Sequence, residues 1–158
     1  MSNSKIGALE IAKVTGKEPT EEQIAIIESA LQPAVVIAGA GSGKTETMAT
    51  RVLWLVANGH AKPEEILGLT FTRKAAAELK KRIKDRLKQL RKAGLIDRNL
   101  SIEVPVMTYH SYAGNILREY GLRLGIDTDS ELIGEAVVWQ QAAKVLRNWE
   151  GRIWIDAW

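Results

Sequence analysis

The chain has no cysteine and only two histidines, His60 and His110. The first absence excludes disulfides and thiolate metal centres. The second argues against a histidine-built metal cluster. No apolar run approaches the roughly 20 residues that a membrane-spanning helix needs. The opening Met-Ser-Asn-Ser-Lys lacks the apolar core of a secretion signal, so the expected compartment is the cytoplasm, with no membrane partner. Internal repeats, low-complexity tracts and linkers are also missing. What remains is 158 residues, about one domain's worth of chain and enough to bury a core.

Charge of one sign is concentrated in one place. The net charge is +3, but residues 73–98 hold 11 Lys/Arg against 3 Asp/Glu, and the rest of the chain holds 11 against 16. A basic segment on an acidic body is either the footprint of a polyanion or a solvated helix face. Charge alone leaves both readings open.

The residues Ala38-Gly39-Ala40-Gly41-Ser42-Gly43-Lys44-Thr45 follow the apolar run Ala34-Val35-Val36-Ile37. This is the sequence form of a strand entering a phosphate-binding loop. Glycines let successive N–H groups curl toward a polyphosphate, and the helix that follows adds donors and a favourable dipole. Lys44 would bring a charge to the β- and γ-phosphates of ATP, and the Thr45 hydroxyl would hold Mg²⁺. The usual pattern has glycine where this chain has Ala38.

Thr20-Glu21-Glu22-Gln23 has capping-box spacing and predicts a helix at about 20–31, closed by Pro33. A strand is expected at 34–38 and a helix at about 44–57, ended by Asn58-Gly59. A second strand is expected at 66–71. Thr72 caps a long basic helix at about 73–93. Val104 to Thr108 reads as a third strand, and helices are expected at about 111–120 and 131–148. Strands alternating with helices indicate an α/β domain with a parallel sheet. Trp149, Ile153, Trp154, Ile155 and Trp158 crowd the last ten residues, which suggests a longer protein or a tail that packs on a partner.

Four segments, in order, resemble the motifs of UvrD/Rep/PcrA-type superfamily 1 DNA helicases. Pro19 to Ile24 is similar to the adenine-recognising Q motif, and Ala38 to Thr45 to the phosphate loop in its Ala-first form. Leu69 to Leu79 is similar to motif Ia, and Met107 to Tyr112 to the Thr-Phe-His-Ser motif. Glu46-Thr47-Met48 and Trp54 to Gly59 look most like the AdnB-like helicase–nuclease subunits of that group.

The resemblance implies a P-loop NTPase (RecA-like) parallel sheet with flanking helices. It also implies that this sheet is incomplete, because no strand ending in Asp-Glu follows. Residues 1–18 would be a lead-in, 19–114 part of helicase domain 1A, and 115–158 the start of an inserted 1B-like helical region. Gln23 would read adenine, with capping of its own helix as the competing role. Ala38 through Glu46 would line the nucleotide. Phe71, Thr72, Arg73, Lys74, Tyr109 and His110 would face single-stranded DNA, where aromatic stacking joins cationic attraction. The competing roles are a core position for Phe71 and an ordinary loop position for His110.

The parent protein would be an ATP-dependent DNA helicase of repair or recombination, and this chain alone would be inactive. Its partners would be DNA and the remainder of the helicase, or a helicase–nuclease subunit, with self-association through open strand edges. Glu46 and Arg73 depart from the family pattern, in which a basic residue and Asn are common at those positions. Two rival classes remain: a small P-loop kinase or GTPase, and a non-catalytic nucleic-acid-binding module.

Overall fold

A computed structural model describes residues 5–127 and 133–149. Its centre is a β–α–β unit: β1 (Gly68–Thr70), α4 (Arg73–Lys92) and β2 (Val106–Thr108). The strands are parallel, with Gly68 opposite Val106 and Thr70 opposite Thr108. Helix α4 packs against both. It buries Ala76, Leu79, Ile83, Leu87 and Leu90, a stripe at steps of three and four that a helix turns to one side. Each large apolar side chain so buried contributes about 1.5–3 kcal/mol. Thr72 caps α4 by accepting the Ala75 N–H at 3.1 Å, as expected.

Helices α1 (Ala8–Thr15), α2 (Glu21–Ile27) and α3 (Lys44–Ala57) complete this unit. Helix α1 was not anticipated, because its apolar repeat lasts only two turns. It nevertheless buries Ala8, Ile11 and Ala12, the first two in the same core as Leu53 and Leu87. Helix α2 has the expected capping box but stops at Ile27, short of residue 31. Arg51 on α3 is the reason: its guanidinium takes the carbonyls of Ile26 at 2.8 Å, Ile27 at 3.1 Å, Ser29 at 3.0 Å and Ala30 at 3.1 Å. Pro33, without an N–H, cannot compete for them.

Residues 34–38 correct the expectation of a strand. They belong to no ladder among the described residues, and Val35 and Ile37 are 88% and 94% exposed. An apolar β-branched run becomes a strand only where a neighbour supplies hydrogen bonds and a face to bury. Among the described residues, β1 and β2 pair with each other alone. The segment thus keeps its backbone outside any ladder among the described residues.

The described residues fall into two compact units, one ending at Tyr112 and the other starting at Ala113. Helix α5 (Tyr109–Tyr120) begins two residues earlier than expected. Thr108 accepts the Ser111 N–H at 3.1 Å and so caps it. Helix α6 (Glu135–Arg147) has no buried residue. It starts at Glu135, with Gly134 as N-cap, inside the helix expected at about 131–148. Trp149 is exposed, and Ile153, Trp154, Ile155 and Trp158 lie outside the described residues. No helix among the described residues is long and apolar enough to cross a membrane.

Candidate functional site

The loop 38–43 ends at Gly41 and Gly43, with φ of 78° and 83°, backbone that only glycine adopts without strain. At Gly43 space is limiting as well, since a Cβ would meet the Gln23 amide nitrogen at 2.9 Å. Helix α3 starts at Lys44 with no side-chain cap. The N–H groups of its first turn are therefore open to an anion. The Lys44 ammonium curls back on the loop and donates to the carbonyls of Ala38 at 3.0 Å and Gly39 at 2.6 Å. Ala40, Ser42 and Thr45 are exposed along the same stretch.

Gln23 makes the anticipated capping bond and, with the same side chain, a second bond to the glycine loop. Its Oε1 accepts the Thr20 N–H at 3.2 Å, closing the capping box. Its Nε2 donates to the Ser42 carbonyl at 3.0 Å. The start of α2 is thereby tied to the glycine loop. Between them lies a cavity of about 260 Å³ lined by Lys17, Pro19, Gln23, Gly43, Glu46 and Thr50, among others.

Glu46 is the strongest electrostatic feature. Its carboxylate is almost buried and accepts from Lys17 at 3.3 Å, Arg82 at 3.1 Å and Arg86. Burial pushes the carboxyl up, yet the hydrogen bonds and charges of Arg86 and Lys17 outweigh it and hold it below the ordinary value of 4.5. The sequence placed Glu46 on the nucleotide loop but missed Lys17, Arg82 and Arg86. The spacing of 82 and 86, one helical turn, was the available signal.

The remaining candidates gather where β1 and β2 end. Parallel pairing sets the carboxyl ends of β1 and β2 side by side, so the residues after Thr70 and Thr108 become neighbours. The Phe71 and Tyr109 rings meet with centroids 5.2 Å apart at 42°. Phe71 is 84% exposed, so the alternative of a core position fails. Thr72, Arg73, Lys74 and His110 are exposed around the pair.

The basic segment divides. Lys80 and Lys84 face Glu103, Arg82 and Arg86 face Glu46, and Lys88 faces Asp85. Arg91 donates to the Leu100 carbonyl. Among the described residues, Arg73, Lys74, Lys81, Lys92 and Arg98 have no such partner.

Comparison with known proteins bears on both regions. The family model of the UvrD/REP helicase N-terminal domain matches residues 19–153. A probable DNA helicase II homolog of Mycoplasma capricolum is 34% identical over 108 residues, 68% of this chain and 13% of the relative. The ATP-dependent DNA helicase SRS2 of Saccharomyces cerevisiae is 35% identical over 116 residues, 73% of this chain and 9% of the relative. The ATP-dependent DNA helicase PcrA of Bacillus subtilis is 32% identical over 123 residues, 78% of this chain and 15% of the relative. The chain thus spans a small fraction of the length of the curated relatives it matches. With both the β–α–β unit and the glycine loop inside the matched span, the chain belongs to the UvrD/REP helicase N-terminal domain family.

Proposed function

We propose that this chain is the nucleotide-binding and strand-contacting part of an ATP-dependent DNA helicase of repair or recombination. In this reading it is the P-loop part of domain 1A, with a 1B-like region from about residue 115. The observation that carries the reading is the convergence of an uncapped α3 N-terminus, Lys44 and the Gln23 amide on one glycine loop. Loop N–H groups and Lys44 would hold the phosphates of ATP, while Gln23 would turn its amide to the adenine edge.

The donor set fits Mg²⁺ through one protein ligand, the Thr45 hydroxyl, beside phosphate oxygens. Glu46, the adjacent acid, is engaged by three cations. Among the described residues no group of three His, Cys, Asp or Glu stands ready for a metal. In this reading the chain binds ATP, and hydrolysis would also need a carboxylate that orients water and an arginine on the transferred phosphate, roles that none of the residues named here is assigned.

Phe71 and Tyr109 would stack on bases, with Arg73 and Lys74 meeting phosphates and Thr72 and His110 offering hydrogen bonds. This combination grips single strands without reading sequence. The test is calorimetry of ATP binding. Lys44→Ala is expected to weaken it by about 1.5–3 kcal/mol, the worth of a charge-assisted contact. Equal affinity in both proteins would remove the nucleotide assignment.

A further inference from the structure

Glu46 accepts from three cations, so the cluster of one carboxylate, Lys17, Arg82 and Arg86 carries an excess of two positive charges. The three cations are not equivalent. Arg86 is 14% exposed and Arg82 38%, and both come from α4. Lys17 is 60% exposed, makes the longest of the three contacts at 3.3 Å, and alone among them lines the cavity beside the glycine loop.

The backbone of Lys17 is fixed from both sides. Gly16, at φ 73°, closes α1 by donating to the Ala12 carbonyl, and Thr20 opens α2. Its side chain is a flexible four-carbon stem carrying a point charge. With Arg82 and Arg86 remaining on Glu46, the carboxylate keeps its compensation when the ammonium leaves.

We propose that Lys17 is a nucleotide-contacting residue. It is parked on Glu46 at the cavity wall and moves onto the phosphate chain of a nucleoside triphosphate held by the loop. Glu46 is then a positioning residue, which keeps the ammonium within reach of the ligand while Arg82 and Arg86 stay paired with the carboxylate. This inference rests on the nucleotide reading above and adds one residue to it.

The experiment compares Lys17→Met, Lys17→Arg and Lys44→Ala in the whole chain, by calorimetry with ATP and with ADP at low and high salt. Lys17→Met is expected to weaken both nucleotides about three- to fivefold at low salt and less at high salt, the upper range of a partly exposed ion pair. Lys17→Arg is expected to stay within about twofold of the wild type, because the charge is kept. Thermal melting should not move in either, since the side chain is mostly solvated. Unchanged nucleotide affinity in Lys17→Met, with binding lost in Lys44→Ala, overturns the role of Lys17 and leaves the nucleotide site standing. Unchanged affinity in Lys44→Ala overturns the nucleotide site and this inference with it. A loss in Lys17→Met that is insensitive to salt and equally large in Lys17→Arg overturns the assignment to phosphate.

Discussion

Arg73 and Lys74 in the first turn of α4, and Arg82 and Arg86 near its middle, are similar residues on one helix in opposite circumstances. The middle pair is drawn onto the nearly buried Glu46 and joins α4 to the start of α3. The first-turn pair has no partner among the described residues, and no acid shares its turn. Cations at a helix N-terminus oppose the dipole, by about 0.3–1 kcal/mol each when exposed. The middle of the helix is therefore basic for the sake of the fold. Its beginning is basic against the local interest of the fold, and beside it stands an exposed aromatic pair. Charge that stabilises nothing is the charge available to a ligand.

This contrast can be broken most forcefully at Glu46. Replacing it by Ala strands the largely desolvated Arg86 beside the partly exposed Arg82, and unfolding in urea is expected to show a loss of about 2–4 kcal/mol. A loss below about half a kcal/mol would mean that the cluster is no tie between the helices.

At the other end, Phe71→Ala should weaken single-stranded DNA by about 1–3 kcal/mol if a base stacks there. Because Phe71 is exposed, the urea midpoint should barely move. Fluorescence anisotropy with a labelled oligonucleotide, read beside that midpoint, checks it. An effect on stability alone would return Phe71 to a packing role.

Acid should sharpen the difference further. The Glu46 carboxyl is held below 4.5 in the folded chain, so its stabilising contribution is complete above that value. It is lost as pH falls through the lowered folded value. The gap in stability between wild type and Glu46→Gln is expected to be constant near neutrality and to shrink in acid. A gap that widened as pH fell would reverse the sign and refute the ion-pair account.

Much of the contrast was legible in the residues themselves. The capping box at Thr20, the Thr72 cap, helix 44–57 and the span of α4 depend on local spacing, and they were read nearly to the residue. The neighbourhood of Phe71 and Tyr109 follows from parallel pairing of two recognisable strands. Two features were not legible, for physical reasons. Residues 34–38 have the composition of a strand, but a strand needs a ladder partner, and no pattern within the segment reports whether one is present. The division of the basic helix depends on which carboxylates approach it through space. Glu46 and Glu103 are remote in sequence from the cations they engage, so the run of charge looked uniform.

The most direct test pairs two double variants, Arg73→Ala/Lys74→Ala and Arg82→Ala/Arg86→Ala. For each, affinity for single-stranded DNA is measured against salt alongside thermal unfolding. The first variant is expected to lose affinity, with its salt slope reduced by about 1.4, the release expected for two phosphate contacts on a single strand. Its melting temperature should be kept or slightly raised. The second is expected to melt earlier and, at a temperature where it remains folded, to bind DNA with the original slope. DNA binding undiminished in the first variant, or lost in the second while its melting is unchanged, would contradict the division of labour along α4.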